Sequence, residues 1–101
     1  AFVLDRIARE DEYRPRDSKV DAIEWLQSGR VLVGCEGSEA TLGHLVDRIG
    51  ATPFAYASDY PHEVDAQSAE EEIDELSEYP GLSETDRAAL LGGNAARFFK
   101  L

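Results

Sequence analysis

Residues 31–57, VLVGCEGSEATLGHLVDRIGATPFAYA, hold two short apolar runs separated by an amphipathic segment. The runs at residues 31–35 and 53–57 show no alternation, which is typical of strands covered on both faces of a parallel sheet. Between them, apolar residues recur at the spacing of a core-facing helix, at Leu42, Leu45, Val46 and Ile49. Ser38 is a candidate N-cap for this helix, and Gly50 a candidate end. Because two parallel strands need a crossover, the segment predicts a right-handed βαβ unit.

Two helices are predicted before residue 31. The first lies at the start of the chain, where apolar residues fall on or near one stripe: Phe2, Leu4, Ile7 and Ala8. Since the chain opens inside this pattern with no cap before it, we expect further residues upstream of Ala1. The alternative is a trimmed or mature chain with a docked N-terminal helix. After a charged loop containing Pro15, Ser18 and Asp21 predict a capping box, and Gly29 is placed to end the second helix.

The segment after residue 57 predicts three more helices. Ser68, three residues before Glu71, forms a capping box that opens a strongly acidic helix, which the Pro-Gly pair at 80–81 ends. Ser83 and Asp86 form a similar box for the next helix, which the glycines at 92–93 interrupt. Asn94 is predicted to cap a short final helix. We interpret the acidic run at residues 70–78 as a solvated helix face.

The composition excludes several classes of protein. The 101 residues have room for one small domain, and 21 acidic against 10 basic side chains give a formal net charge of −11. Nucleic-acid binders and proteins that dock on anionic lipid present clustered positive charge, so we expect neither partner. A single cysteine excludes an internal disulfide framework. With no signal segment and no apolar run long enough to span a bilayer, we expect a soluble, cytoplasmic protein.

The residues that follow the two strands are the candidates for chemistry, because parallel α/β folds bind ligands at the carboxyl ends of their strands. Asp59 comes directly after the second apolar run, where a carboxylate is costly unless paired, hydrogen-bonded or metal-bound. Its alternative role is a turn residue that caps backbone N–H groups. His62 brings an imidazole to the same turn, or is only an exposed loop residue. Glu36 and Glu39 follow the first run. They either face the same pocket or are acids near the N-terminus of the next helix, where the helix dipole favours negative charge.

Other polar residues are interpreted as structural. Cys35 is expected to be a small buried strand residue rather than a nucleophile, since no histidine is close to it in the sequence. His44 lies inside the amphipathic helix and is remote from both strand ends. The chain has no phosphate loop, dinucleotide glycine fingerprint, His-Glu-x-x-His helix or Gly-x-Ser-x-Gly elbow.

The block Phe-Ala-Tyr-Ala-Ser-Asp-Tyr-Pro-His at residues 54–62, followed by Gly-Asn-Ala-Ala-Arg-Phe-Phe at residues 93–99, resembles the C-terminal end of the amidohydrolase-related metal-dependent hydrolases. The resemblance is to the branch that includes the aminocarboxymuconate-semialdehyde decarboxylase type. Val-Gly-Cys-Glu at 33–36 with Glu39, and Asp-Arg-Ile-Gly at 47–50, are also similar. The resemblance runs from about residue 31 to residue 101, and more loosely back to Ala1.

This resemblance implies an α/β fold in which the whole chain, residues 1–101, is the C-terminal part of one (β/α)8 TIM barrel domain, the N-terminal part being absent. Residues 31–35 would be the seventh strand and 54–57 the eighth. Asp59 would match the aspartate at a divalent metal, commonly zinc, as a ligand or as the base that takes a proton from metal-bound water. His62 and Glu36 would be residues of the substrate pocket. The reaction implied is hydrolysis or decarboxylation of a small carboxylate-bearing substrate.

The chain departs from the family pattern in its histidines. The family's His-x-His ligand pair and its further histidine ligand are not present, since the only histidines are His44 and His62. We therefore expect the 101 residues alone to be inactive and to bind zinc weakly. We also expect them to form a homo-oligomer or to associate with the missing portion of the barrel. The alternative is an autonomous small acidic α/β interaction module without catalytic activity.

Overall fold

The computed structural model describes residues 2–15 and 21–101. Within this part of the chain, helices and short strands follow one another in the order α1 (Phe2–Glu12), α2 (Ala22–Gln27), β1 (Val33–Cys35), α3 (Leu42–Ile49), β2 (Phe54–Tyr56), α4 (Ala66–Glu78), α5 (Glu84–Ala88) and α6 (Asn94–Phe99). A π-helical turn, Ala89–Gly93, joins α5 to α6, and its backbone leaves helical values at Gly92. The result is a small mixed domain with its helices packed around a two-stranded sheet.

The two strands are parallel, as the sequence predicts. Val33 lies opposite Phe54 and Cys35 lies opposite Tyr56. The ladder is extended at both ends, by a bond from Val33 N to the Pro53 carbonyl (2.7 Å) and by one from Ala57 N to the Cys35 carbonyl (3.0 Å). Each strand has three residues rather than the predicted five. Proline has no N–H to donate, so residue 53 contributes only its carbonyl to the pairing.

Helix α3 crosses between the strands and presents the predicted apolar stripe to the core. Leu42, Val46 and Ile49 are buried. Gly50 ends the helix with a φ of 83°, a left-handed value that glycine adopts without strain. These features confirm the predicted crossover helix and its end.

The predicted cap at Ser38 is wrong. Helix α3 begins at Leu42, and its N-cap, Thr41, makes no side-chain capping bond. The hydroxyl of Tyr79 lies there instead: it accepts from Gly43 N at 3.4 Å and donates to the Glu39 carbonyl at 2.7 Å. A partner 36 residues away therefore does what a local serine was expected to do.

Two other caps are displaced from the predicted residues. Helix α2 is capped by Asp21, which accepts from Ile23 N and Glu24 N, while Ser18 lies outside the described residues. Helix α4 begins three residues earlier than predicted, because Asp65 is its N-cap and Ser68, the third residue of the helix, completes a capping box with it. The box of Ser83 and Asp86 that opens α5 is confirmed.

Asn94 does not cap the final helix. It is the first residue of α6, whose N-cap is Gly93, and it is only 1% exposed. Its Nδ2 donates to the Ala51 carbonyl (2.7 Å) and to the Phe54 carbonyl (2.8 Å). The side chain thus fixes the end of the chain to the start of β2. It gives a donor to the Phe54 carbonyl and a second donor to the Ala51 carbonyl, which also accepts from Phe54 N at 3.0 Å.

The core lies between α3, α4 and the turn that precedes α6. Leu42, Leu76 and Leu90, one from each of these segments, are at most 1% exposed. Leu4 of α1 also reaches the core, and the ion pair between Asp5 and Arg48 (2.9 Å) ties α1 to α3. Among the described residues, neither outer edge of the sheet pairs with a further strand.

Candidate functional site

The loops that follow β1 and β2 meet at one edge of the sheet, because the strands are parallel. They enclose an open cleft of about 220 Å³, lined by Gly34, Cys35, Glu36, Glu39, Ala57 and Asp59. The structure thus brings together three of the acidic residues that the sequence singled out, two from the first loop and one from the second. His62 is exposed and is not among the lining residues.

Asp59 lies in a tight turn with a left-handed backbone, at a φ of 57°. Aspartate and asparagine are among the few non-glycine residues that adopt this conformation readily. The turn is closed by a bond from His62 N to the Asp59 carbonyl (2.8 Å), and Tyr60 N donates to the Ser58 hydroxyl (3.3 Å). Within the described residues the Asp59 carboxylate has no hydrogen-bond or ion-pair partner, so the turn presents an exposed acid that is not used to cap the backbone.

Cys35 forms part of the cleft wall but is only 3% exposed. Burial, and then the negative charge of Glu39, raise the pKa of its thiol from 9.0 to about 11. Because the thiolate is the reactive form, this thiol is a poor nucleophile at neutral pH. The structural role predicted for Cys35 agrees with these surroundings.

A larger groove of about 450 Å³ lies between α1 and α2, with Trp25 and Leu26 among its lining residues. Its walls are mainly apolar, and none of the candidate residues at the strand ends contributes to them. We therefore regard the smaller cleft, which holds the acidic side chains at the strand ends, as the candidate functional site.

The model of the amidohydrolase family matches residues 19–101, which include both strands, the turn of Asp59 and the final helix. The chain belongs to the amidohydrolase family. No curated protein and no solved structure matches it significantly. Family membership indicates a hydrolase-type parent enzyme, and amidohydrolases generally use divalent metal ions. In the described part of this amidohydrolase chain, no helix is long and apolar enough to cross a membrane.

The donors of the cleft fit a metal ion only in part. Carboxylate oxygens are suitable ligands, and Asp59, Glu36 and Glu39 line one cavity. Across residues 2–15 and 21–101, however, no three His, Cys, Asp or Glu side chains converge closely enough to hold a metal. Catalytic zinc sites commonly use three protein ligands and one open position. The described residues of the amidohydrolase chain therefore do not form a complete metal centre.

Helix α4 packs directly against the wall of the cleft, a contact that the sequence analysis missed. Gly37 is buried, and a Cβ there would overlap the carbonyl group of Glu72. The hydroxyl of Tyr56, the last residue of β2, donates to the Ala69 carbonyl at 3.0 Å. Glu72 lies three residues after Ala69 and four before the buried Leu76, so helical spacing places it on the inner face. That spacing could have distinguished Glu72 from its acidic neighbours.

The remainder of the acidic run on α4 faces solvent, as predicted. Glu70, Glu71, Asp74 and Glu75 are exposed, whereas Glu72 is partly buried. The acidic face and the acidic cleft are therefore separate features of this amidohydrolase chain.

Proposed function

We propose that residues 1–101 are the C-terminal part of a (β/α)8 barrel, and that the complete polypeptide is a metal-dependent enzyme. It hydrolyses or decarboxylates a small carboxylate-bearing substrate. The observation that carries this proposal is the unpartnered Asp59 carboxylate in the cleft at the carboxyl ends of two parallel strands. Barrel enzymes place their catalytic groups at that end of the strands. We also propose that the enzyme is cytoplasmic and that it binds neither nucleic acid nor membranes. These two parts of the proposal rest on the composition alone.

The architecture supports the barrel in two ways. All-parallel sheets occur almost only where other elements cover both of their faces. Among the described residues, by contrast, two three-residue strands form a sheet by themselves. The Cα radius of gyration is 15.0 Å, against the roughly 13 Å of a compact domain of about 100 residues. In the proposed barrel, β1 is the seventh strand and β2 the eighth, and the missing strands cover their outer edges.

Asp59 is the proposed catalytic and metal-binding residue. Its carboxylate lines the cleft and has no partner among the described residues, so its Oδ atoms are free to bind a cation or to accept a proton. A divalent metal, proposed to be zinc, would supply Lewis acidity when bound, with its other ligands coming from the remainder of the barrel. Glu36, with Glu39 beside it, forms the opposite wall of the cleft. His62, whose N–H closes the turn of Asp59, is proposed as a pocket residue of the complete enzyme.

The acidic wall limits how the substrate can lie. Among the described residues that line the cleft, none is basic. A substrate carboxylate would be repelled by Asp59, Glu36 and Glu39, so it must contact the metal or a basic group from the rest of the barrel. The described chain thus forms the side of the pocket that faces the uncharged part of the substrate.

Asp59→Asn in the complete polypeptide tests the proposal. The amide keeps the shape and tolerates the left-handed backbone, but it loses the charge and the basicity. We expect the catalytic rate to fall on the order of a hundredfold or more, the usual scale for a positioned proton acceptor. Steady-state kinetics would measure this, with circular dichroism to confirm folding.

The matched control neutralises three exposed acids of α4 together, Glu70, Glu71 and Glu75, each replaced by Gln. We expect a rate within a few-fold of the parent, because exposed helical acids contribute little individually. If the helix variant were inactive and Asp59→Asn fully active, the functional surface would be α4 and the strand-end proposal would be wrong.

Assembly gives a second test. The isolated 101-residue chain leaves strand edges and apolar helix surfaces uncovered, so it should form homo-oligomers or aggregate, or bind the rest of the barrel. Sedimentation of the isolated chain measures this directly. A compact, stable monomer near 11.1 kDa would contradict the barrel proposal and favour an autonomous acidic interaction module.

A further inference from the structure

The two acids of the cleft wall, Glu36 and Glu39, lie on a loop that α4 contacts at two points. Gly37 is buried against the backbone of Glu72, so closely that a Cβ would overlap the carbonyl group there. Two residues further along the loop, the Glu39 carbonyl accepts from the hydroxyl of Tyr79 at 2.7 Å. Helix α4 and its end therefore hold the loop beside each of the two acids.

Helical spacing accounts for both contacts. Glu72, Leu76 and Tyr79 are four and then three positions apart, so they follow one face of α4 to its C-cap. Leu76, the middle residue of the three, is buried in the core. Tyr79 is the C-cap residue, and its own carbonyl accepts from Arg87 Nη2 of α5 at 3.0 Å. The phenol thus extends from a backbone that is itself held in place.

The hydroxyl of Tyr79 joins the acidic loop to the start of α3. It donates to the Glu39 carbonyl and accepts from Gly43 N at 3.4 Å, so one oxygen serves as donor and acceptor. The ring lies against Gly43, where an added Cβ would be 3.0 Å from Cε1. The Glu39 carbonyl also accepts from Leu42 N at 3.1 Å. The phenol therefore connects three segments: the loop, the first turn of α3 and the end of α4.

The acids of the cleft repel one another. Glu36 and Glu39 line the same cavity as Asp59, all three are exposed, and no lining residue among those described is basic. Like charges around one cavity favour movement of the loop away from the turn of Asp59. The neutral hydrogen bond from Tyr79 opposes this movement without adding a charge to the cleft.

We propose that Tyr79 is a positioning residue, whose hydroxyl holds the loop of residues 36–41 in place against the mutual repulsion of the three acids. What the acidic wall contributes to catalysis rests on the proposed function, whereas the contact itself does not. Loss of the hydroxyl should loosen this loop, while the turn that carries Asp59 keeps its own hydrogen bond from His62 N.

Residue-resolved hydrogen–deuterium exchange of the complete polypeptide, without added metal or substrate, tests the proposal. Tyr79→Phe removes the hydroxyl and keeps the ring. We expect the amides of Glu39 and Leu42 to exchange about three- to tenfold faster, the range for the loss of one net hydrogen bond. These amides keep their acceptors, the carbonyls of Glu36 and Glu39, so their exchange measures opening of the loop. Amides of residues 58–62 and of α6 should be unchanged.

Salt distinguishes positioning of the charged wall from loss of a structural contact. Raising the salt concentration from about 0.01 M to about 1 M shortens the Debye length from about 30 Å to about 3 Å, which screens repulsion between exposed acids. We expect the excess exchange of Tyr79→Phe over the parent to fall by about half or more at the higher concentration. A purely structural contact would give the same excess at both.

The matched control is Tyr13→Phe. It removes a hydroxyl from a side chain that is 82% exposed and lies on the first helical segment, away from the strand ends. Exchange in the acidic loop should equal that of the parent at both salt concentrations.

The proposal is overturned if the amides of Glu39 and Leu42 exchange at the parent rate in Tyr79→Phe, even where Gly43 N, which loses its acceptor, exchanges faster. It is also overturned if residues 58–62 and α6 loosen to the same degree, or if the excess exchange is equal at both salt concentrations.

Asp59→Asn gives an independent result, because exchange is measured without metal or substrate. A fully active Asp59→Asn together with a salt-dependent loosening of the loop in Tyr79→Phe would reject the proposed function and keep the role of Tyr79. An inactive Asp59→Asn together with unchanged exchange in Tyr79→Phe would do the reverse.

Discussion

Replacing Asn94 should show how strongly the sheet depends on one amide group. Its Nδ2 donates to the carbonyls of Ala51 and Phe54, at 2.7 and 2.8 Å, and the residue is 1% exposed. In Asn94→Ala the Phe54 carbonyl loses this donor in a place that water reaches poorly, whereas the Ala51 carbonyl still accepts from Phe54 N at 3.0 Å. A buried group left without a partner costs about 1–3 kcal/mol, so we expect a loss of about 1–3 kcal/mol. Small domains have a total stability of about 5–15 kcal/mol, so this loss is large.

An isosteric variant makes the prediction sharper. Asn94→Asp keeps the volume, but the ionised carboxylate cannot donate and faces two carbonyl oxygens. We therefore expect it to destabilise the fold at least as much as Asn94→Ala. The control is Gln27→Ala, which removes another side-chain amide that donates to a carbonyl, that of Ile49, from an exposed residue. Its cost should be below about 1 kcal/mol.

Urea unfolding of the complete polypeptide, followed by far-UV circular dichroism, measures the free energy of unfolding for each variant. The reasoning fails if Asn94→Ala lies within about 0.5 kcal/mol of the parent, the range of ordinary surface substitutions. It also fails if Asn94→Asp is the milder of the two substitutions at this position.

Two further predictions concern the cleft wall. Gly37→Ala should destabilise the fold by about 1–3 kcal/mol in thermal unfolding, because the added Cβ meets the backbone of Glu72. Gly92→Ala is the control and should not destabilise the fold, since the space around Gly92 is open. Equal effects of the two substitutions would contradict the packing of Gly37 against α4. Alkylation of Cys35 should titrate near pH 11 in the folded chain and near the ordinary pKa of 9.0 after unfolding. The free energy of unfolding should therefore fall as the pH rises above 9.0, because the thiol ionises first in the unfolded chain. Equal labelling profiles in the folded and unfolded states would refute the raised pKa.

The crossover unit was predictable because its signals are local. Apolar runs without alternation and a helical stripe between them occur within 27 residues, and the parallel pair and α3 follow from them. The errors arose where a distant residue satisfies a backbone group. Ser38 was predicted as a cap that the hydroxyl of Tyr79 replaces, and Asn94 was expected to serve its own helix rather than a strand. Propensity rules cannot identify such partners, because they depend on tertiary packing.

The candidate site was predictable to a similar extent. Parallel strands place their carboxyl ends together, so the sequence could bring Asp59 and Glu36 to one cleft. It could not show that His62 lies outside the cleft lining, because one turn residue more or less reverses the direction of a side chain. The helical spacing of Glu72 from Ala69 and Leu76 could have separated it from its exposed neighbours, but the acidic run was interpreted as one solvated face.

The left-handed backbone of Asp59 also has an evolutionary consequence. Glycine, asparagine and aspartate accept this conformation most easily, whereas other side chains pay about 1–2 kcal/mol for it. Where selection for the acid is relaxed in a descendant, the position should therefore drift first to Asn or Gly. Glutamate should be rarer there although it keeps the charge, because it adds a methylene and strains the turn. An asparagine in an otherwise preserved turn would thus mark a lineage that has lost the chemistry but kept the fold.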